Sequence, residues 1–413
     1  MHAYARAYIL TCMHPYMADG LRSYYLNRSQ PPMLTQMVAA IVDSATKPPA
    51  AGAVASGATP AAGAAAVETV GSGDGSAVEG GSARGGRWAA PQQSGAADGG
   101  SAADGAAGWP PLPPHMLAWL ESALPVLDAE YRWWMRDGEN GSAVRLGAQG
   151  GGGGRPVVTL NRYVVQATHP RPESYREDVQ TASSVEAKAR PALYAELAAG
   201  AETGWDYSSR WLSASGAAGK NRSLATIRTS RIVAVELNAI LFRNERQLHR
   251  LHLLRADAIE RVHLLAAAGG GGALEGGGGG GASNRRAAAA YAEAATARQA
   301  AMDAWMWSDT TGRWHDVDLA SGEPLAEESA ASYTPLWAVG TAPLIPLPHL
   351  PAFRHRCLHR PARHILQGAY GAKQAEGAVA ALNASRLLQA GGLATTLEHT
   401  GQQWDCAAQR RLK

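Results

Sequence analysis

The sequence predicts an all-α protein in which helices pack side by side and the loops between them gather at one end. Two observations support this fold class. The dense segments of the chain place apolar residues at steps of three and four, whereas strand signals are scarce. Apolar residues make up 46% of the 413 residues, which is enough for a sizeable core.

Five segments have the apolar spacing of a helix. The first, MLTQMVAAIVD, includes Leu34, Met37 and Ile41 in its stripe and follows two prolines that suit a helix start. The second runs from Leu117 to Trp134. The remaining predicted helices are Val235–Leu251, Tyr291–Trp307 and Ala372–Leu388. The best strand candidate is RPVVTLNRYVVQ, residues 155–166.

Three low-complexity stretches interrupt the patterned sequence. Residues 46–108 are almost wholly Ala, Gly, Ser and Pro with scattered acids, a composition that buries too little apolar surface to offset chain entropy. We therefore expect a disordered insertion there. Residues 266–286 form a Gly-rich insertion, with loop expected over its glycine runs, and residues 342–366 an atypical Pro/His-rich insertion. We expect a single domain over residues 1–413 that carries these insertions.

Charge and hydropathy exclude several classes of partner. The formal net charge is only +3 and the basic residues are scattered, so neither nucleic acid nor an anionic membrane is an expected partner. The chain has no uninterrupted apolar run of about 18 residues and no recognisable signal peptide at its start. We expect a soluble protein whose compartment the sequence leaves open.

Cysteine and histidine do not predict a metal site. Cys12, Cys357 and Cys406 are too few and too irregularly spaced for a disulfide framework or a four-ligand site. Further zinc-capable side chains lie in the insertion at 342–366, but their spacing fits no familiar signature, so we expect no metal; they are His355, His359 and His364. His249 and His252 are expected on a solvated helix face.

Four loops combine an aromatic residue with Arg or Gln and usually a carboxylate. They are YYLNRSQPP, HPRPESYRED, GWDYSSRW and GQQWD. This mixture suits a sugar, because flat side chains cover the C–H faces while charged groups make paired hydrogen bonds to neighbouring hydroxyls. For any one of these loops taken alone, ion pairs over a helical scaffold are the better explanation. Four together favour a carbohydrate site.

The same segments resemble the trehalases, the glycoside hydrolases that split α,α-trehalose into two glucoses. The resemblance is carried by YYLNRSQPPMLTQMV, LNRYVVQATHPRPESYRED, AGAETGWDYSSRWL, IRTSRIVAVELNAILFRNE, WSDTTGRWHDVDL with SYTPLWA, and GGLATTLEHTGQQWD, in that order. It implies an (α/α)6 barrel, two concentric rings of helices with the active site at the loop end. It implies no cofactor, and a small disaccharide, trehalose, as the substrate.

The resemblance also assigns roles to individual residues. The Asp that follows Gly-Trp in the family's motif is the general acid, which is Asp206 here, and the backbone at Gly204 touches sugar. The positions that hold glucose hydroxyls correspond to Arg28, Ser29, Gln30, Arg171 and Glu173. Nearby aromatic side chains would partly desolvate Asp206 and favour the protonated form that an acid catalyst needs.

The sequence departs from the family at four points, one of which is the insertion at 342–366 that has no family counterpart. The family's Asn-Gly appears as Asp19-Gly20, which exchanges an amide for an acceptor-only carboxylate. The family's N-terminal Pro-Gly-Gly-Arg-Phe signature has no counterpart. After GQQWD the chain reads CAAQRRLK, without the segment that carries the family's general base, so the barrel is expected to be incomplete at both ends.

Two functions of different class remain open at this stage. The favoured one is inverting hydrolysis of trehalose, with Asp206 as general acid and the general base absent from this chain. The alternative is a catalytically inactive or fragmentary trehalase-like protein that binds sugar weakly or serves as a helical scaffold.

Overall fold

The structure, a computed structural model, is mainly helical, which confirms the predicted all-α class. It describes residues 28–46, 112–147, 154–213, 223–268, 278–339, 372–389 and 392–398. The α-helices in these ranges are α1 (Leu34–Thr46), α2 (Pro114–Trp134), α3 (Tyr175–Ala182), α4 (Arg190–Glu202), α5 (Val235–Ala268), α6 (Gly278–Trp305), α7 (Thr334–Val339) and α8 (Ala372–Ala384). Within the described residues, no helix combines the length and hydropathy needed to cross a bilayer.

The strands pair only locally in the described part of the chain. Each pair is antiparallel and two-stranded: β1 (Ala143–Leu146) with β2 (Val158–Asn161), β3 (Ile232–Val233) with β6 (Val317–Asp318), β4 (Trp307–Ser308) with β5 (Arg313–Trp314), and β7 (Leu388–Gln389) with β8 (Gly392–Leu393). The predicted strand in RPVVTLNRYVVQ is confirmed as β2. These short ladders satisfy backbone groups between helices and form no extended sheet.

The long helix α5 lies at the centre of the helical packing. It contacts α1, α2, α6 and α7. One cluster of buried apolar side chains fills the space between α5, α6 and the short strands, and includes Phe242, Met302, Trp305 and Trp314. Burial of this apolar surface is what stabilises a 34-residue helix whose sequence is rich in charge.

A second buried cluster supports the loop that follows α4. Trp134, Tyr163 and Trp211 form a chain of edge-to-face contacts, with ring centroids 5.9 and 6.3 Å apart. Leu197 of α4 and Leu241 of α5 pack into the same cluster. Side chains of α4 and α5 therefore share one buried cluster with these aromatic rings.

The Gly-rich stretch at 266–286 is helical at both of its ends, which corrects the expectation of loop over its glycine runs. α5 continues to Ala268 and α6 begins at Gly278. A methyl group placed on Gly280 would lie 3.4 Å from Ile259 Cδ1. Close packing against α5 thus outweighs the low helix propensity of glycine at the start of α6. That this stretch is an insertion remains a prediction.

The expectation of a solvated helix face at His249 and His252 is wrong for His252, which is 4% exposed. Its Nε2 lies 3.0 Å from Asp128 Oδ1, its Nδ1 lies 2.9 Å from Asn284 Oδ1, and its ring stacks on Tyr291. His249 is half-buried, with Nδ1 2.8 Å from the Ala288 carbonyl oxygen. The apolar spacing of the sequence did not show that α2 and α6 cover this face of α5.

Several predictions fall outside the described residues. These are the disordered insertion beyond Thr46, the Pro/His-rich insertion at 342–366, all three cysteines, and the fourth candidate loop, GQQWD. Asp19, His355, His359 and His364 lie outside as well.

Candidate active site

Two loops that are far apart in sequence meet at Arg28. Its Nε donates to Glu173 Oε1 at 3.2 Å, across 145 residues of sequence. Its Nη1 donates to the Ala201 carbonyl oxygen at 3.1 Å. One guanidinium therefore joins the 28–32 loop, the 171–174 turn and the C-terminal end of α4.

Arg171 is fixed by a buried carboxylate. Its backbone N–H and Nε both donate to Asp178 Oδ2 at 2.9 Å, and Nη2 donates to Oδ1 at 2.6 Å. The guanidinium also lies over the Tyr207 ring, 5.3 Å from its centroid. Burial opposes the charged form, but the hydrogen bonds to Asp178 outweigh it and raise the pKa of Arg171. A charged, oriented guanidinium is the result.

Asp206 is half-buried beside both arginines. Burial raises the pKa of its carboxyl group, while its own backbone N–H, Arg28 and Arg171 act in the opposite direction. A raised pKa makes the protonated form more abundant near neutral pH, which is the form that donates a proton. Asp206 and the two arginines thus belong to one electrostatic environment.

Gly204 shapes the turn that leads to Asp206. Its φ is +70°, a left-handed conformation that favours glycine. A side chain built on Gly204 would point towards the Pro31 ring, 3.8 Å away. The 28–32 loop and the 203–207 turn therefore lie against each other at a backbone position without a side chain.

The three aromatic residues of GWDYSSRW have different surroundings. Tyr207 donates from its hydroxyl to the Leu197 carbonyl oxygen at 2.9 Å and packs over Gly200, so it lies against α4. Trp211 is fully buried and donates from Nε1 to the Trp205 carbonyl oxygen at 3.2 Å. Trp205 is half-buried. These contacts fix the backbone on both sides of Asp206.

A buried ionic network lies next to this loop. Arg210 donates from Nε and Nη2 to Asp316 at 2.8 and 2.6 Å, and from Nη2 to Glu236 at 2.6 Å. Its guanidinium carbon lies 4.2 Å from the Trp211 ring centroid and 5.6 Å from that of Trp205. The network anchors the end of the acid loop to α5 and to the turn after β5.

The structure brings most of the predicted sugar contacts into one set of bonded segments. Gln30 is exposed, between Ser29 and Pro31, and Ser29 bonds to the buried carboxylate of Glu202. Sequence reasoning did not single out the carboxylates that hold the arginines and Ser29, although all are in the resembling segments; they are Asp178, Glu202 and Asp316. For Glu202 and Asp316 the spacing carried no signal, because their partners lie on other segments, whereas Asp178 lies seven residues after Arg171 in the same segment.

The described residues hold no cluster of three or more His, Cys, Asp or Glu side chains suited to a metal ion. The arrangement that is present has two oriented guanidinium groups, two carboxylates that accept hydrogen bonds, and a half-buried Asp with a raised pKa. The guanidinium and carboxylate groups can bind neighbouring hydroxyl groups, and the Asp can deliver a proton to an oxygen atom of the bound molecule.

Comparison with known proteins gives a family match. The trehalase family model matches residues 10–61 and 115–343. A periplasmic trehalase of Salmonella paratyphi B is 32% identical over 292 residues, which are 69% of this chain and 39% of that protein. A periplasmic trehalase of Citrobacter koseri is 30% identical over 292 residues, with the same shares. The chain thus spans 39% of the length of these curated relatives.

A solved structure also overlaps this chain. Neutral trehalase Nth1 from Saccharomyces cerevisiae aligns with 71% of this chain and 45% of its own, at 19% identity and a TM-score of 0.40.

Proposed function

This chain belongs to the trehalase family, and we propose that it acts in the hydrolysis of α,α-trehalose to two glucose molecules, with inversion of configuration. Family membership assigns its helices to an (α/α)6 barrel with the loops of the candidate site at one end. The observation that carries the proposal is the junction of Arg28 with Glu173, next to Arg171 and Asp206.

In this proposal Asp206 is the general acid. Cleavage of the glycosidic bond needs a proton on the leaving oxygen, and burial raises the pKa of the Asp206 carboxyl group, which favours the protonated form that delivers this proton. The inverting mechanism needs a second carboxylate that activates water on the other face of the sugar, roughly 6.5 to 9.5 Å from the acid. The carboxylates that bond to Arg28 and Arg171 are occupied as orienting groups.

The remaining predicted residues bind the sugar. The guanidinium groups of Arg28 and Arg171 and the carboxylate of Glu173 suit paired hydroxyls of a glucose ring. Further proposed contacts are Ser29, Gln30, the backbone of Gly204, and Asp19. The proposed ligand is a small disaccharide, and the mechanism needs neither a cofactor, a nucleic acid nor a membrane.

Replacing Asp206 by Asn tests the acid role. The substitution is nearly isosteric and removes the proton donor, so trehalose hydrolysis should fall about 10²- to 10⁴-fold. α-D-glucosyl fluoride has a leaving group that departs without protonation, so its hydrolysis should fall far less. Asp137, which is exposed on a turn, offers the matched control D137N, which should leave both rates unchanged.

The stereochemistry gives an independent check. Inversion at one anomeric carbon produces one β-glucose, while the departing glucose stays α, so nuclear magnetic resonance at early times should show equal amounts of both. Equal losses of D206N on trehalose and on the fluoride would contradict an acid role for Asp206. Wild-type protein that neither binds nor hydrolyses trehalose would contradict the proposed function.

A further inference from the structure

A buried carboxylate joins three segments of the candidate site. Glu202, the last residue of α4, is 1% exposed. Its Oε1 accepts the Ser29 backbone N–H at 3.1 Å and also the Ser29 hydroxyl. The backbone N–H of Val164, in the segment after β2, acts on the same carboxylate.

Glu202 lies between the loop with the proposed sugar contacts and the loop with the proposed acid. On one side, Arg28 donates to the carbonyl of Ala201, the residue before Glu202. On the other side, the turn through Gly204 leads to Asp206 within four residues. A shift at Ser29 would therefore change the position of Arg28 relative to Asp206.

We propose that Glu202 is a positioning residue, whose carboxylate holds the 28–30 loop on the end of α4 and thereby sets the distance between Arg28 and Asp206. This inference rests on the proposed function for its effect on sugar binding. Its structural part, the attachment of Ser29, stands independently of any ligand.

The chain contains a second bond of the same type away from these loops. Glu196, also on α4, accepts the backbone N–H of Ser230 at 2.8 Å and the Ser230 hydroxyl. The positive charges that act on its carboxylate are those of Arg162 and Arg231. Those that act on Asp206 are Arg28 and Arg171. Glu196 therefore provides a control on the same helix: its half-buried carboxylate also accepts the backbone N–H and the hydroxyl of one serine, with no bond to the 28–30 loop.

The charge on Glu202 changes near neutral pH. Burial raises its pKa to about 7, against the opposing effects of Ser29, Arg28 and Val164. Tyr163 is a further titratable group that interacts with it, from the segment after β2. Since the bond to Ser29 is strongest with an ionised acceptor, the loop should be held more tightly above this pH than below it.

The E202Q variant tests the attachment. Gln at this position loses the charge and places an NH2 group against either Ser29 or Val164, both of which donate. Loss of a hydrogen bond to a charged group corresponds to roughly a ten- to hundredfold change in an equilibrium. We expect hydrogen exchange at the Ser29 amide to rise at least about tenfold in E202Q, with no rise in E196Q.

Sugar binding is measured on the same proteins by calorimetric titration with trehalose. E202Q should weaken binding about tenfold and remove the change in affinity near pH 7, while E196Q should keep the wild-type profile. In the exchange measurement, S29A should raise the exchange of the amide at position 29 less than E202Q does, because the backbone N–H remains bonded to Glu202, and the double variant should show less than the sum of the two effects. Circular dichroism establishes that each variant is folded.

The outcomes separate the two proposals. Faster Ser29 exchange in E202Q with no trehalose binding by wild type would support the attachment and overturn the proposed function. Trehalose binding by wild type with unchanged exchange and affinity in E202Q would overturn the positioning role and leave the proposed function intact. Equal effects of E202Q and E196Q would also overturn it, because they would indicate a general loss of helix stability.

Discussion

Replacing Asp178 by Asn should destabilise the protein strongly, because it removes the charge partner of a buried arginine. Arg171 is 8% exposed and Asp178 is 2% exposed. Three donors of Arg171 meet the two carboxylate oxygens at 2.6 to 2.9 Å. Asn retains one oxygen acceptor and turns an NH2 group towards the guanidinium, so at least one donor is left facing another donor.

The size of the effect follows from burial. Breaking a buried ion pair by changing one partner typically costs about 3 to 5 kcal/mol, because a buried charge is left without compensation. Here Glu173 and the Tyr207 ring also act favourably on Arg171, which places the expected loss near the lower limit, about 3 kcal/mol. The exposed pair Lys188–Glu186, with side chains 85% and 74% exposed, gives the control variant E186Q, for which the expected loss is below about 1 kcal/mol.

Urea unfolding followed by circular dichroism measures both free energies of unfolding. We expect a lower midpoint for D178N with an unchanged slope, and an E186Q curve close to that of wild type. Trehalose affinity should fall in D178N, since Arg171 loses the group that orients it. A loss for D178N no larger than that for E186Q would refute the reasoning that this pair is structurally required.

Two further substitutions probe packing and charge. G200A would place a methyl group 2.7 Å from Tyr207 Cε1 and should lower the free energy of unfolding by about 1 to 3 kcal/mol through overpacking. The control G280A, whose methyl group would lie 3.4 Å from Ile259 Cδ1, should not lower it. Thermal unfolding that ranks the two variants the other way would contradict this reasoning. For His252, burial opposes the charged form, but the bond to Asp128 helps to raise its pKa above 6.5. Its contribution to stability is therefore complete below pH 6.5 and lost as pH rises through the raised pKa, and H252Q should flatten this part of the stability–pH curve measured by urea unfolding.

Helical periodicity predicted the helices with clear apolar stripes and missed those without one. In α1 the predicted stripe was too wide: Leu34 and Val38 are buried, while Met37 and Ile41 are 46% and 41% exposed. Periodicity identifies the face of a helix but does not tell how much of that face a neighbour covers.

Helix α4 was not predicted because its sequence has almost no polar face. Ala198, Ala199, Gly200 and Ala201 are all buried, so small residues surround the helix at its C-terminal end. A helix buried on most sides shows little amphipathic contrast, and its glycine argues locally against a helix. The Tyr207 ring packs over Gly200, where a larger side chain would not fit, and this packing stabilises the segment as a helix.

For the candidate site, the residue types could be read from the sequence but their pairing could not. Loops rich in Arg and carboxylate indicated a polar, hydrogen-bonding site. Nothing in the spacing showed that Arg28 bonds to Glu173 across 145 residues, or Arg210 to Asp316 across 106. Long-range ion pairs leave no periodic signal, since each partner is equally compatible with a solvated loop.

The way in which the arginines are held connects folding with the proposed chemistry. Arg28 and Arg171 are each bound by a carboxylate before any sugar arrives, so their donor directions are already set. A preset guanidinium loses little rotational freedom when it binds a hydroxyl pair, which favours affinity. The same burial makes an unpaired guanidinium unfavourable, so Arg28 is stable in its position only when the turn that carries Glu173 has docked against the 28–32 loop. Assembly of the site therefore requires the docking of these two segments, and a substitution that loosens one carboxylate should weaken sugar binding even where it touches no sugar.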